Sequence, residues 1–131
     1  MERKSVSMKT PLGRVRGLGS ARAGTTHFWH QRITSVAAIP LTIAFIVIVI
    51  SLLGRNHAAA VQILGSPLVA ILMLLFLVTT VYHMWLGMQE IIVDYVHDEL
   101  RKYLALLGNT FFSFLVALAS AYAILKLSFG V

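Results

Sequence analysis

Residues 67–97 read PLVAILMLLFLVTTVYHMWLGMQEIIVDYVH, and this stretch decides the fold class. From 67 to 93 it contains no lysine or arginine, and its strongly polar side chains are few. A helix that crosses a bilayer needs about 20 predominantly apolar residues. The stretch therefore predicts a transmembrane helix over 67–93, longer than the minimum. It ends in Asp94-Tyr95, where the span should meet water.

Two further stretches, 33–53 and 104–127, are also apolar and long enough to span a membrane. The apolar segment 58–65 between the first two spans is too short to be another. Hydrophobic residues make up 58% of the 131 residues and charged residues 12%, whereas a soluble domain carries about 25% charged residues. We predict an all-α integral membrane protein with three transmembrane helices. Its membrane domain covers 33–131 and follows an N-terminal arm, 1–32.

Lysine and arginine are unevenly divided between the two sides of these spans. The arm carries Arg3, Lys4, Lys9, Arg14, Arg16, Arg22 and Arg32. The second loop adds Arg101 and Lys102, whereas only Arg55 and Lys126 fall on the opposite side. Positively charged flanks stay in the cytoplasm. The split predicts a multi-pass protein of the bacterial inner membrane with a cytoplasmic N-terminus and a periplasmic C-terminus.

The same charge distribution argues against a nucleic-acid partner. The net charge is +6, but nearly all of the excess lies in the arm, where membrane topology accounts for it. No aromatic interleaving or nucleic-acid-binding motif accompanies the cations. The chain has no cysteine, which excludes disulfides and thiolate ligands. Histidine is then the strong ligand available for a transition metal or haem iron.

The polar residues of the second span share one helical face. Taking about 100° per residue, the strongly polar side chains other than Gln89 and the aromatic hydroxyls lie on a stripe about 100° wide that includes His83. These side chains are Thr79, Thr80, Glu90 and Asp94, and Gly87 lies on the same stripe. Such a stripe must face protein, water or a cofactor rather than lipid chains.

The sequence leaves three roles open for His83. It can hydrogen-bond a neighbouring helix, or relay protons with Glu90, which lies about 10 Å away along the axis. It can instead be an axial ligand of haem iron, with Gly87 leaving room for a flat macrocycle. As the only histidine inside a predicted span, it would supply one ligand, and another protein chain the second. Arg32 could then meet the haem propionates, or simply be a positive-inside anchor.

Three motifs together resemble a known family. They are Gly-Leu-Gly-Ser-Ala (17–21), His-Phe-Trp-His-Gln-Arg-Ile-Thr (27–34) and His83-x3-Gly87-Met88-Gln89-x4-Asp94-Tyr95-Val96-His97. This combination resembles the small hydrophobic membrane anchor of succinate dehydrogenase, a cytochrome b556-type anchor, in its alphaproteobacterial and mitochondrial branch. The resemblance covers about residues 13–97, and the three-span pattern extends it to the end.

The resemblance implies specific site roles. His83 would be one axial ligand of haem b, Tyr95 would hydrogen-bond a ubiquinone carbonyl, and Asp94 would belong to the same quinone site. Arg32 would lie near the haem propionates and the quinone pocket. Some family members carry an acidic residue directly before Asp-Tyr, where this chain has Val93.

The resemblance also implies a complex. The chain would anchor the flavoprotein and iron–sulfur subunits to the membrane, pack against a companion three-helix cytochrome b anchor, and share haem b with it. It would serve succinate:ubiquinone oxidoreductase, respiratory complex II, in electron transport and the tricarboxylic acid cycle, without a succinate-oxidising site of its own. The alternative is a small oligomeric transporter or proton-conducting protein that uses Glu90 and His83.

Overall fold

The computed structural model of the protein describes residues 10, 12–13 and 23–130. Its helices are α1 (Ala23–Leu52), α2 (His57–Leu64), α3 (Pro67–Tyr95) and α4 (Glu99–Phe129). Within the described ranges α1, α3 and α4 are long and apolar enough to cross a membrane. The predicted all-α, three-span class is confirmed. Most of the predicted arm lies outside the described residues, including the motif at 17–21 and every arm cation except Arg32.

The helices extend beyond the spans predicted from hydropathy. The first begins at Ala23 instead of near Ile33, the second ends at Tyr95, and α4 covers Glu99–Phe129. At 1.5 Å per residue, the 30-residue α1 is about 45 Å long, more than the roughly 30 Å hydrocarbon thickness. Because a helix pairs its backbone N–H and C=O groups internally, it can continue from the hydrocarbon into the headgroup region. Helix α2 has eight residues and is not a span.

Local signals in the sequence set the starts of the helices. The Asn56 side chain accepts a hydrogen bond from the Ala59 backbone N–H at 2.9 Å, which caps α2. The Asp98 carboxylate does the same for α4 by accepting from Arg101 N–H at 3.0 Å. Pro67 stands at the first position of α3, where its missing N–H costs nothing. The starts of α2, α3 and α4 are therefore each marked by a residue suited to a helix N-terminus.

Helix α3 is the centre of the bundle and packs against both α1 and α4. Its contacts with α1 run in opposite chain order, from the Phe45–Phe76 ring stack to the Thr34–His83 hydrogen bond. These two helices are thus antiparallel. Asn109 of α4 is buried and donates through Nδ2 to the Trp85 carbonyl at 3.1 Å. A polar contact therefore fixes α4 onto α3.

Large apolar side chains remain exposed along all three long helices. Val36 on α1, Leu68 on α3 and Phe114 on α4 are each more than 60% exposed. Apolar surface of this extent fits hydrocarbon or a neighbouring membrane protein. Packing against a companion anchor stays a prediction, as does the direction of the termini.

Candidate functional site

The site is built where one polar face of α1 meets α3. One side of α1 carries four polar residues with the i, i+3, i+4, i+7 spacing of a helix face: His27, His30, Gln31 and Thr34. This side contacts α3 at the segment that begins with Tyr82. The contact between α1 and α3 is therefore polar at this point.

His83 is held from α1 by a single hydroxyl. Its Nδ1 lies 2.9 Å from the Thr34 Oγ1. The same Oγ1 lies 2.8 Å from the His30 carbonyl oxygen and 3.1 Å from that of Gln31, both of which can accept the hydroxyl proton. The second ring nitrogen, Nε2, has no hydrogen-bond partner among the described residues. One ring nitrogen is thus fixed and the other remains open.

A second pair of side chains lies one residue before this contact. The Tyr82 hydroxyl lies 2.7 Å from His30 Nδ1. The Tyr82 ring also stacks on Trp85, with 5.7 Å between ring centroids. Trp85 in turn donates through Nε1 to Thr110 Oγ1 of α4 at 3.2 Å. Polar contacts around residues 82–85 therefore connect all three long helices.

Gly87 faces α1. A Cβ added there would lie 3.6 Å from Gln31 Nε2, an ordinary contact distance. Gln31 Oε1 is buried and has no hydrogen-bond partner among the described residues. Buried acceptors in native proteins are nearly always paired. A donor from water or from a molecule beyond the described part of the chain would satisfy this oxygen.

Arg32 lies on another side of α1. Two residues before Thr34, it is rotated about 160° from the face that contacts His83. Its side chain is exposed, and the guanidinium carbon lies 4.9 Å from the centre of the Phe28 ring. The structure does not bring Arg32 and His83 together within this chain. Its predicted contact with a propionate or a quinone stays a prediction.

Asp94 and Tyr95 end α3 at the surface. Both are exposed, and Tyr95 is 78% exposed. A cavity of about 610 Å³ opens near this end between the start of α1 and the last turns of α3. It is lined by Gly24, His27, Phe28, Gln89, Glu90, Val93 and Leu106. Glu90 therefore lines a cavity, whereas His83, its partner in the proton-relay hypothesis, is not among the lining residues.

Sequence reasoning missed the partner of His83. The sequence places Thr34 only within a motif, and it indicates interfacial packing, or a contact with propionates or a docked partner, for His30. The sequence does contain a signal, because the polar side chains from His27 to Thr34 are spaced by three or four residues. This spacing places them on one face of a helix. Hydropathy does not show how α1 and α3 are aligned along each other, so it could not predict that this face contacts His83.

Comparison with known proteins gives the family. Residues 6–117 match the model of the succinate dehydrogenase/fumarate reductase transmembrane subunit. The chain belongs to this family. It is similar to the succinate dehydrogenase hydrophobic membrane anchor subunit of Paracoccus denitrificans, with 31% identity over 92% of this chain and 93% of the relative. The protein of the same name from Rickettsia bellii is 25% identical over 88% of this chain and 93% of the relative. No solved structure matches significantly.

The match confirms the family suggested by the sequence motifs. The chain is a membrane-anchor subunit of the succinate dehydrogenase/fumarate reductase family. With its three apolar helices it is a multi-pass protein of the bacterial inner membrane. An anchor of this family functions within an enzyme complex. The roles of His83, Gly87, Arg32, Asp94 and Tyr95 go beyond the family assignment and are proposals.

Proposed function

We propose that the chain is a membrane-anchor subunit of succinate:ubiquinone oxidoreductase, which supplies one axial ligand of haem b and part of the ubiquinone site. It would anchor the flavoprotein and iron–sulfur subunits next to a companion cytochrome b anchor. Both curated relatives bear the name of succinate dehydrogenase subunits, which supports succinate oxidation over fumarate reduction.

The observation that carries the haem proposal is the state of the His83 ring. A histidine that binds iron does so through one nitrogen, and its other nitrogen usually donates to an oxygen acceptor. His83 has this arrangement, with Nδ1 beside Thr34 Oγ1 and Nε2 unpartnered among the described residues. The donor set therefore fits haem iron, with His83 Nε2 as the ligand atom. Bound haem b would supply reversible one-electron chemistry.

The remaining residues support this site in different ways. Gly87, one turn after His83, adds no side chain beside the imidazole, and the nearest side-chain atom to its missing Cβ is in Gln31. Arg32 is exposed and can pair with an anionic group outside this chain. We assign it to a haem propionate or to the quinone pocket.

The quinone proposal depends on the end of α3. Tyr95 is about 18 Å along the helix from His83, at the end that faces the cytoplasm in the predicted orientation. Its phenol can donate a hydrogen bond to a quinone carbonyl. Its 78% exposure leaves the hydroxyl available to a pocket that the iron–sulfur and companion anchor subunits complete. Asp94 lies beside it and is also exposed.

The test is His83→Ala in the purified complex. We expect the b-type bands in the dithionite-reduced optical spectrum to be lost or strongly shifted, because iron loses a ligand on this chain. His57→Ala is the matched control, since His57 is exposed at the start of α2. Succinate oxidation by an artificial acceptor on isolated membranes reports whether the complex assembles. An unchanged haem spectrum in His83→Ala would reject the ligand assignment.

A further inference from the structure

The Thr34 hydroxyl lies within hydrogen-bond distance of three groups, and they cannot all be served by its one proton. The His30 carbonyl is at 2.8 Å, the Gln31 carbonyl at 3.1 Å and His83 Nδ1 at 2.9 Å. A hydroxyl has one proton and two lone pairs. If the proton goes to a carbonyl, His83 Nδ1 must itself be the donor. If the proton goes to Nδ1, then Nδ1 is the acceptor and the ring proton lies on Nε2.

Helix geometry favours the first arrangement. Serine and threonine within helices commonly donate to the carbonyl four residues earlier, and the Thr34–His30 distance of 2.8 Å fits this bond. Ser35, the next residue, behaves in the same way and donates to the Gln31 carbonyl at 2.7 Å. With its proton used in this way, the Thr34 oxygen presents a lone pair to His83.

The unpartnered nitrogen of His83, Nε2, also favours the tautomer with the proton on Nδ1. A proton on Nε2 would leave a donor without a partner among the described residues. A lone pair on Nε2 instead has a use, because iron binds that form of the ring. Both nitrogens of His83 are then satisfied at once, Nδ1 by Thr34 and Nε2 by the metal.

We propose that Thr34 is a positioning residue that fixes the tautomer and the ring orientation of His83, so that Nε2 carries the lone pair offered to haem iron. This inference rests on the proposed function, since it takes His83 to be the ligand. Because Thr34 lies on α1 and His83 on α3, this hydrogen bond also holds the imidazole close to α1. With haem bound, the hydrogen bond that the Thr34 oxygen accepts from Nδ1–H would make the imidazole a stronger electron donor and would favour oxidised iron.

The test compares three variants in the intact, purified complex. Thr34→Val keeps the shape but removes the oxygen, Thr34→Ser keeps the oxygen, and Ser35→Ala removes a neighbouring hydroxyl that donates to a backbone carbonyl instead of His83. Partners of metal ligands typically change metal affinity by about 10–100-fold when removed. We expect Thr34→Val to lose haem to excess apomyoglobin roughly tenfold faster than the native complex. Its haem midpoint potential should rise, and the electron paramagnetic resonance signal of its oxidised haem should shift.

Thr34→Ser and Ser35→Ala should match the native complex in all three measurements. The inference is overturned if Thr34→Val keeps the native potential and haem retention, or if Thr34→Ser fails as severely as Thr34→Val. His83→Ala, measured in parallel, separates this result from the proposed function. Loss of haem in His83→Ala with a native Thr34→Val would leave the ligand in place and remove only the role of Thr34.

Discussion

His83 and Tyr95 show two ways in which one helix can present a functional side chain. His83 is half-buried and fixed from α1 by the Thr34 hydroxyl. Tyr95 is the last residue of α3, is 78% exposed and makes no hydrogen bond to the described residues. The orientation of His83 is therefore set within this chain, whereas that of Tyr95 must be set by the surfaces that surround it in the complex.

Tyr95→Phe tests the quinone role of this residue. Removing the hydroxyl deletes one hydrogen bond, worth about 0.5–1.5 kcal/mol, so we expect ubiquinone reduction to fall by roughly two- to tenfold. Succinate oxidation by an artificial acceptor should be unaffected. Tyr122→Phe is the matched control, because Tyr122 is 67% exposed and lies towards the opposite end of the bundle. Native quinone reductase activity in Tyr95→Phe would remove Tyr95 from the site.

At the scale of the helices, apolar length predicted the three spans but not that α1 begins well before the first of them. Residues 23–32 are rich in polar side chains, so hydropathy carries no signal there, although the backbone is helical from Ala23. The position of His83 in an apolar helix was visible in the sequence. Its bond to Thr34 was not, because residues 49 positions apart in the chain meet only through the packing of α1 on α3.

The junction of α2 and α4 depends on a glycine. A Cβ on Gly65 would lie 2.8 Å from the Leu127 carbonyl oxygen and 3.0 Å from that of Val61. Backbone atoms cannot move aside as a flexible side chain does. The absence of a side chain at Gly65 therefore allows α2 to approach the end of α4.

Gly65→Ala should destabilise the protein by about 1–3 kcal/mol, the usual cost of overpacking. Thermal denaturation of the detergent-solubilised complex should show a midpoint lower by several degrees. Gly108→Ala is the matched control, because a Cβ there meets no atom of the described chain within 4 Å and alanine is preferred over glycine in a helix. Equal melting of Gly65→Ala and the native complex would show that α2 can shift at no cost.

At the scale of the whole molecule, the bundle by itself leaves apolar surface uncovered and a buried polar atom unpaired within the described residues. Exposed apolar side chains cover its long helices, the buried Gln31 Oε1 lacks a donor within the described chain, and the family is one of enzyme-complex subunits. These three observations agree with an anchor subunit that meets lipid and the other subunits of its complex across these surfaces. The orientation of the bundle in the membrane then decides which end meets the soluble subunits.

Two single-cysteine variants test that orientation, because the chain has no cysteine of its own. His57 at the start of α2 and His97 after α3 are both exposed and stand at opposite ends of α3. In the topology predicted from the sequence, nine of the eleven lysines and arginines fall on the His97 side, which the positive-inside rule places in the cytoplasm. We expect a membrane-impermeant maleimide to label His57→Cys in intact spheroplasts and His97→Cys only after detergent is added. The reverse pattern would place Tyr95 in the periplasm, away from any cytoplasmic iron–sulfur protein, and the quinone proposal would then be wrong.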